Sequence, residues 1–186
     1  MRIVGGEYSS RRIETRKGND TRPTLDKVRE AVFSSLGGRF EGGVFLDLYA
    51  GSGANGFEAL SRGMDEAVFV DSAYDAVAVI RKNAASLQCS ERCTILHMKD
   101  LKALQKFREE GRKFNIVYLD PPYAKQINNR VLELLEEYEL LAAGACVVIE
   151  SLKEDHFEQI IGTLKPVREK EYGITRITYY KKEEQI

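Results

Sequence analysis

The sequence predicts an α/β protein built on a mostly parallel sheet, and three observations lead there. From residue 43 onward, short apolar runs alternate with helical patterns. The apolar runs are nearly continuous, as expected of strands buried on both faces. The intervening segments are long enough to be crossover helices, which return the chain to a parallel neighbour with right-handed connections.

The elements follow in order. VFLDLY (44–49) is the first strand, leading into AGSGANG and a helix, FEALSR, that stops at Gly63. AVFVD (67–71) is the second strand. Ser72 with Asp75 forms a capping-box-like pair before a helix that carries Val77, Ile80, Ala84 and Leu87 on one face. CTIL (93–96) is the third strand, followed by a polar helix near 101–110. FNIVYL (114–119) is the fourth, ended by Pro121 and Pro122, which cannot continue a strand ladder. The next helix spaces Ile127, Val131, Leu134, Tyr138 and Leu141 along one face, and ACVVIE (145–150) is the fifth strand. Beyond a weak helix near 154–162, residues 164–171 and 174–181 read as two strands joined by a tight turn at Gly173. This hairpin closes one edge of the sheet.

The stretch before Phe40 differs in texture, being polar, turn-rich and basic. RIVGGEY and RRIETR read as short strands of a small hairpin. Pro23 and Thr24 then precede an amphipathic helix with Leu25, Val28, Val32 and Leu36, packed on the sheet domain. The expected organisation is a basic surface arm over residues 1–24 and a main domain over 25–186.

Composition narrows the function classes. A chain of 186 residues is one domain, large enough to fold without a disulfide or metal staple. The longest apolar run, residues 140–149, falls short of the roughly 20 needed to span a bilayer. The first residues hold no apolar signal region, so the expectation is a cytoplasmic protein away from membranes. Cys89, Cys93 and Cys146 form no CxxC and read as spare thiols of a reducing compartment. His97 and His156 lie far from any cysteine pair, and no metal site is expected. The net charge of -1 excludes a uniformly basic nucleic-acid coat. Even so, residues 1–30 hold eight Lys/Arg against five Asp/Glu, a local excess on an otherwise acidic chain.

Two motifs carry chemistry. Gly51, Gly53 and Gly56 make a Gly-x-Gly-x-x-Gly turn between a strand and a helix, where glycine allows a sharp bend and close ligand approach. Asp71 ends the next strand. An acidic residue at a strand end about 20 positions past such a turn can take both hydroxyls of a ribose. The ligand is a dinucleotide or S-adenosylmethionine. Asp47 favours the second, since a carboxylate suits a cationic amino group and sits badly beside a pyrophosphate. Asp100, after the third strand, is placed to accept from an adenine amino group and also to cap the helix that follows.

The second motif is Asp120-Pro121-Pro122-Tyr123, at the end of the fourth strand. Ligands of open parallel sheets bind outside the carboxyl ends of the strands. The motif suits an exocyclic amine on a planar base, a poor nucleophile because its lone pair is delocalised. Asp120 and the Pro121 carbonyl can accept the amine's N–H bonds and free that lone pair, while Tyr123 stacks on the base. Positioning and electrostatics suffice for such a reaction.

The segments MRIVGG, TRPTLDKVREAVFSSL (21–36), FLDLYAGSGANGFEALSRG (45–63) and LDPPY (119–123) together resemble the RsmD-type bacterial 16S ribosomal RNA guanine-N2 methyltransferases, over nearly the full length. The glycine loop and DPPY are shared by many amino-methyltransferases, and RPTLDKVREAVF is the more specific segment. The resemblance implies a class I methyltransferase fold, Rossmann-like, with a seven-stranded sheet whose last strand is antiparallel. It implies S-adenosylmethionine held by Asp47, Tyr49, Gly51, Gly53 and Asp71, with Asp100 at the adenine. It implies a target-amine site at Asp120, Pro121, Pro122 and Tyr123. Arg22, Pro23, Thr24, Asp26 and Arg29 would line the RNA side, joined by Arg11, Arg12 and Arg16 of the basic arm. The implied partner is 16S ribosomal RNA in the small subunit or an assembly intermediate, met by a monomer with no obligate protein partner. Ser10 and Asn55 depart from the family's usual glycine and apolar residue.

Two other classes compete. DNA adenine-N6 methyltransferases also carry DPPY, but reading base edges in a duplex usually takes a separate recognition domain, for which this chain has too few residues. A non-catalytic nucleotide-binding module would leave DPPY and the basic arm without a purpose.

Overall fold

The computed structural model describes residues 1–17, 23–122, 128–155 and 159–184, the side chains of residues 23 and 24 excepted. Its helices are α1 (Pro23–Ser35), α2 (Ala54–Ser61), α3 (Tyr74–Ser86), α4 (Asp100–Glu109) and α5 (Asn128–Glu137). Its strands are β1 (Val44–Asp47), β2 (Glu66–Asp71), β3 (Cys93–His97), β4 (Phe114–Leu119), β5 (Leu141–Leu152), β6 (Leu164–Tyr172) and β7 (Thr175–Lys182). One seven-stranded sheet runs in the order β3-β2-β1-β4-β5-β7-β6. The chain divides into two compact units, Met1–Lys99 and Asp100–Ile186.

In the first unit, β1 and β3 flank β2 in parallel. Val68, Phe69 and Val70 of β2 are wholly buried, as continuous apolar strands require. Phe57 of α2 packs on Phe69 with ring centres 4.8 Å apart, and Phe33 of α1 stacks on Phe45 of β1 at 5.9 Å. The α3 face expected from the 3.6-residue period, Val77, Ile80, Ala84 and Leu87, is buried throughout. β1 is shorter than its apolar run, because Leu48 and Tyr49 already turn toward the glycine loop. The buried face of α1 is Arg29, Val32 and Phe33, while Leu25 is 41% exposed. The expected stripe is thus rotated, because an arginine occupies a core position.

Residues 1–17 form the expected hairpin only in part. Among the described residues one antiparallel bridge joins Arg2 to Arg12, with the Ile3 N–H donating to the Arg11 carbonyl and the Ile13 N–H to the Met1 carbonyl, both at 3.0 Å. Gly5-Gly6 breaks the run: Gly6 has φ 77°, and a Cβ there would sit 1.9 Å from the Ser61 carbonyl oxygen. The backbone therefore lies directly on α2. Nor is the segment a surface arm, since Ile3, Tyr8 and Ile13 are buried. Its basic side chains Arg11 and Arg12 face water, and its apolar ones join the core.

In the second unit, β4 and β5 are parallel, and β7 runs antiparallel to both β5 and β6. The expected edge hairpin is present, turning through Gly173 at φ 59°. α5 ends at Glu137, and Leu141 opens β5 instead of closing the helix face. The chain reverses between them through Glu139, which takes φ 51°. Ile127 lies outside the described residues. No helix appears among the described residues of 154–162. β5 runs on to Leu152, whose N–H is capped by Asp155 Oδ2 at 3.1 Å, and Ile161 bridges to Leu164. No helix among the described residues is long and apolar enough to cross a membrane.

Candidate cofactor and target-amine site

The glycine loop follows β1 and leads into α2. Gly51 takes φ 57° and Gly53 φ 84°, the left-handed region that glycine enters without strain. Their surroundings differ. A Cβ on Gly51 would meet nothing within 4 Å, so this residue borders open space. A Cβ on Gly53 would strike Phe57 at 2.6 Å, and one on Gly56 would strike Phe69 at 2.2 Å. Gly53 and Gly56 therefore seat the loop against the aromatic core, and Gly51 is the glycine a ligand can approach.

Asp71 ends β2 and ties the loop down. Its Oδ2 accepts the Gly51 N–H and its Oδ1 the Ala73 N–H, both at 2.9 Å. A carboxylate has about four acceptor positions, so two N–H bonds leave capacity for a pair of hydroxyls. Asp47 sits beneath the loop, 1% exposed, with Oδ2 accepting the Gly56 N–H at 3.1 Å. Burial, aided by the nearby Asp71 charge, pushes its carboxyl up to about 8. Below that value the group is mostly protonated, and a cation beside it would favour its ionised form. Tyr49 is half-buried between β1 and the loop.

In the second unit, Asp120 follows β4 directly and is half-buried, Pro121 is buried and Pro122 exposed. Tyr123 lies outside the described residues. Asp100 is the first residue of α4, and its Oδ1 accepts the N–H of the adjacent Leu101 at 2.8 Å. Among the described residues, no group of three His, Cys, Asp or Glu side chains could hold a metal ion.

The residues expected to face RNA fall into distinct settings. Arg11 and Arg12 are exposed, and Arg11 donates to the Ser86 carbonyl at 2.6 Å. Arg16 makes a two-pronged pair with Asp75, at 2.9 and 3.0 Å, holding that carboxyl below its usual range. Arg22 lies outside the described residues, and Pro23 and Thr24 form the first turn of α1. Arg29 departs from the expectation. It is 5% exposed and engaged with Glu58, Asp26 and the Arg2 carbonyl, so its guanidinium serves the interior.

Two residues that the motifs did not indicate organise this region. Glu58 of α2 is fully buried and accepts four donors: the Val4 and Gly5 N–H groups, Arg29 Nε and Arg62 Nε, at 2.9–3.2 Å. Asn83 of α3 accepts the Glu14 N–H, and its amide donates to the Glu14 and Ser52 carbonyls. It thereby fastens the N-terminal segment to the glycine loop. Its signal was present in the sequence: a lone amide between Ile80 and Ala84 on the apolar face of α3.

The sheet order and the loop after β1 place the chain in one class, the Rossmann-like fold of the S-adenosylmethionine-dependent methyltransferases. An RNA methyltransferase from Salinibacter ruber, solved with S-adenosyl-L-homocysteine, has this fold at TM-score 0.65 and 19% identity, with 90% of this chain and 96% of that one covered. Within that class the chain belongs to the family described as conserved hypothetical protein 95, whose model matches residues 1–181. A relative from Bacillus subtilis, named "Putative rRNA methyltransferase YlbH", is 35% identical over 98% of this chain and 99% of its own. The ribosomal RNA small subunit methyltransferase D of Escherichia coli K12 is 30% identical, covering 100% and 91%. A conserved hypothetical protein of Streptococcus pyogenes matches at TM-score 0.79 and 39% identity, covering 83% and 95%.

Proposed function

We propose that this protein transfers a methyl group from S-adenosylmethionine to the exocyclic N2 of a guanine in 16S ribosomal RNA. The observation that carries the reading is the glycine loop itself: Gly51 borders open space, Asp71 holds the Gly51 N–H, and the acidic Asp47 is buried against the same loop through the Gly56 N–H. A dinucleotide would set its pyrophosphate against that carboxylate. The names of two relatives, matched over nearly the whole chain, supply the substrate class.

When bound, S-adenosylmethionine supplies an electrophilic methyl group. The residues of this chain do the rest. Asp47 meets the amino group of the methionine tail, and its ionised form is restored by that positive charge. Tyr49 and Gly51 line the tail, Gly53 holds the loop on its aromatic seat, Asp71 accepts from the ribose, and Asp100 accepts from the adenine amino group. Asp120 and the Pro121 carbonyl accept the N–H bonds of the target amine and direct its lone pair, and Tyr123, with Pro122 before it, is the residue assigned to stack on the base. Carboxyl ends of strands in a doubly wound sheet are where such ligands gather. The enzyme acts as a cytoplasmic monomer on the small subunit or an assembly intermediate, and Arg11, Arg12 and Arg16, with Arg22, Pro23 and Thr24, face the RNA.

Labelled S-adenosylmethionine incubated with naked 16S RNA, small subunits or duplex DNA tests the reading. Label on guanine N2 in ribosomal RNA is expected, and label on DNA adenine alone overturns it. Asp120→Ala is expected to slow transfer by about 10² to 10³ with cofactor affinity retained. Transfer at the wild-type rate would remove Asp120 from the reaction.

A further inference from the structure

Residues 11–16 lie antiparallel along α3 and are fastened to it at three heights. Arg16 pairs with Asp75 at its start, Glu14 exchanges hydrogen bonds with Asn83, and Arg11 reaches the Ser86 carbonyl at its end. Residues 11–17 and 74–86 together hold six Lys/Arg against two Asp/Glu, on a chain whose net charge is -1. Arg81 and Lys82 of α3 extend the positive charge of the segment across the helix.

The same helix begins with Tyr74, whose ring is 74% exposed. An aromatic ring left in water forgoes stabilisation that burial would give. It is also held in place: the His97 ring stands edge-on to it at 6.0 Å, and His97 Nε2 lies 3.1 Å from the Ser72 carbonyl oxygen. Tyr74, Arg81 and Ala85 share a helix face by the 3.6-residue repeat, with Ala78 between them. From Tyr74 to Lys82 the helix rises ~12 Å, the length of three or four stacked bases.

We infer that the outer face of α3, from Tyr74 to Lys82, together with the basic segment laid along it, is a docking surface for a single strand of RNA, with Tyr74 taking a base. This rests on the ribosomal RNA reading and names a surface for that substrate. Aromatic platforms beside rows of cations are how unpaired strands are held, because every base has a face to stack. A duplex hides its base faces, so Tyr74 selects an unpaired strand. The ion pairs Arg16–Asp75 and Lys82–Glu14 leave much of each side chain exposed, and such pairs exchange readily for phosphate.

The test measures binding of a labelled single-stranded oligouridylate and of a 16S RNA transcript across a salt series, with cofactor affinity measured beside it. Arg81→Glu/Lys82→Glu is expected to weaken both RNAs and to flatten the salt slope by about 0.7 per lost contact. Tyr74→Ala is expected to weaken binding about tenfold at every salt concentration, and Tyr74→Phe to restore it. Folded variants that bind RNA like the wild type overturn this surface while leaving the methyl-transfer reading standing. Loss of cofactor affinity alone in Tyr74→Ala assigns the ring to the cofactor's adenine and also overturns it. A wild type that binds neither RNA, nor small subunits offered beside them, takes down the ribosomal reading itself.

Discussion

Asp47 combines full burial with a carboxyl raised from 3.8 to about 8, and this has a sign that stability measurements can read. A carboxyl raised on folding favours the folded state while protonated. Its contribution is complete below pH ~4, declines as the pH rises toward 8, and changes no further above that. Asp47→Asn keeps the shape and removes the titration. Without cofactor, the variant is expected to exceed the wild type by at least about 1 kcal/mol at pH 8.5, and to show a shallower loss between pH 5 and 8. Urea unfolding of both proteins at several pH values checks this, and parallel pH profiles would remove Asp47 as the titrating group. The same substitution is expected to abolish cofactor binding, so that stability and function move in opposite directions.

At the scale of elements, α2 is fixed by one carboxylate as well as by its apolar face. Glu58 joins the N-terminal segment, Arg29 of α1 and Arg62 in a buried cluster. Glu58→Ala would remove the carboxylate shared by Arg29 and Arg62 and the acceptor of the Val4 and Gly5 N–H groups, at a cost of about 3–5 kcal/mol. Glu58→Gln, which keeps an acceptor, is expected to recover part of that loss. Chemical denaturation distinguishes them, and equal stabilities would mean that water replaces the carboxylate. This cluster also explains which parts of the molecule are legible in the sequence. The strands are readable because each is a local apolar run, and α3 because its buried face repeats with the helical period. The glycine loop, Asp47 and Asp71 are readable because their spacing is short and their context is strand–turn–helix. The α1 stripe misleads because Arg29 counts as polar until its partner, 29 residues away, is known. The pattern of residues 1–17 misleads as well, because Ile3, Tyr8 and Ile13 are five residues apart, which is neither the strand nor the helix period. The partners of that segment are Glu58, Ser61 and Asn83, which no local pattern connects to it.

Considered as a whole molecule, the protein cannot treat its N-terminal segment as an accessory. Deleting residues 1–16 removes three buried apolar side chains and uncovers Glu58 and Asn83. A fall in melting temperature of about 10 °C or more is expected. A truncated chain that melts with the wild type would restore the picture of a detachable arm. The attachments of this segment also impose an order in time. Val4 pairs with a residue 54 positions later, Tyr8 with one 53 later, and Glu14 with one 69 later. During synthesis at about 5–20 residues per second, the first residues made wait several seconds for Asn83 to be added. For that interval Ile3, Tyr8 and Ile13 ride uncovered on the nascent chain, and the speed of the ribosome decides how long they stay so.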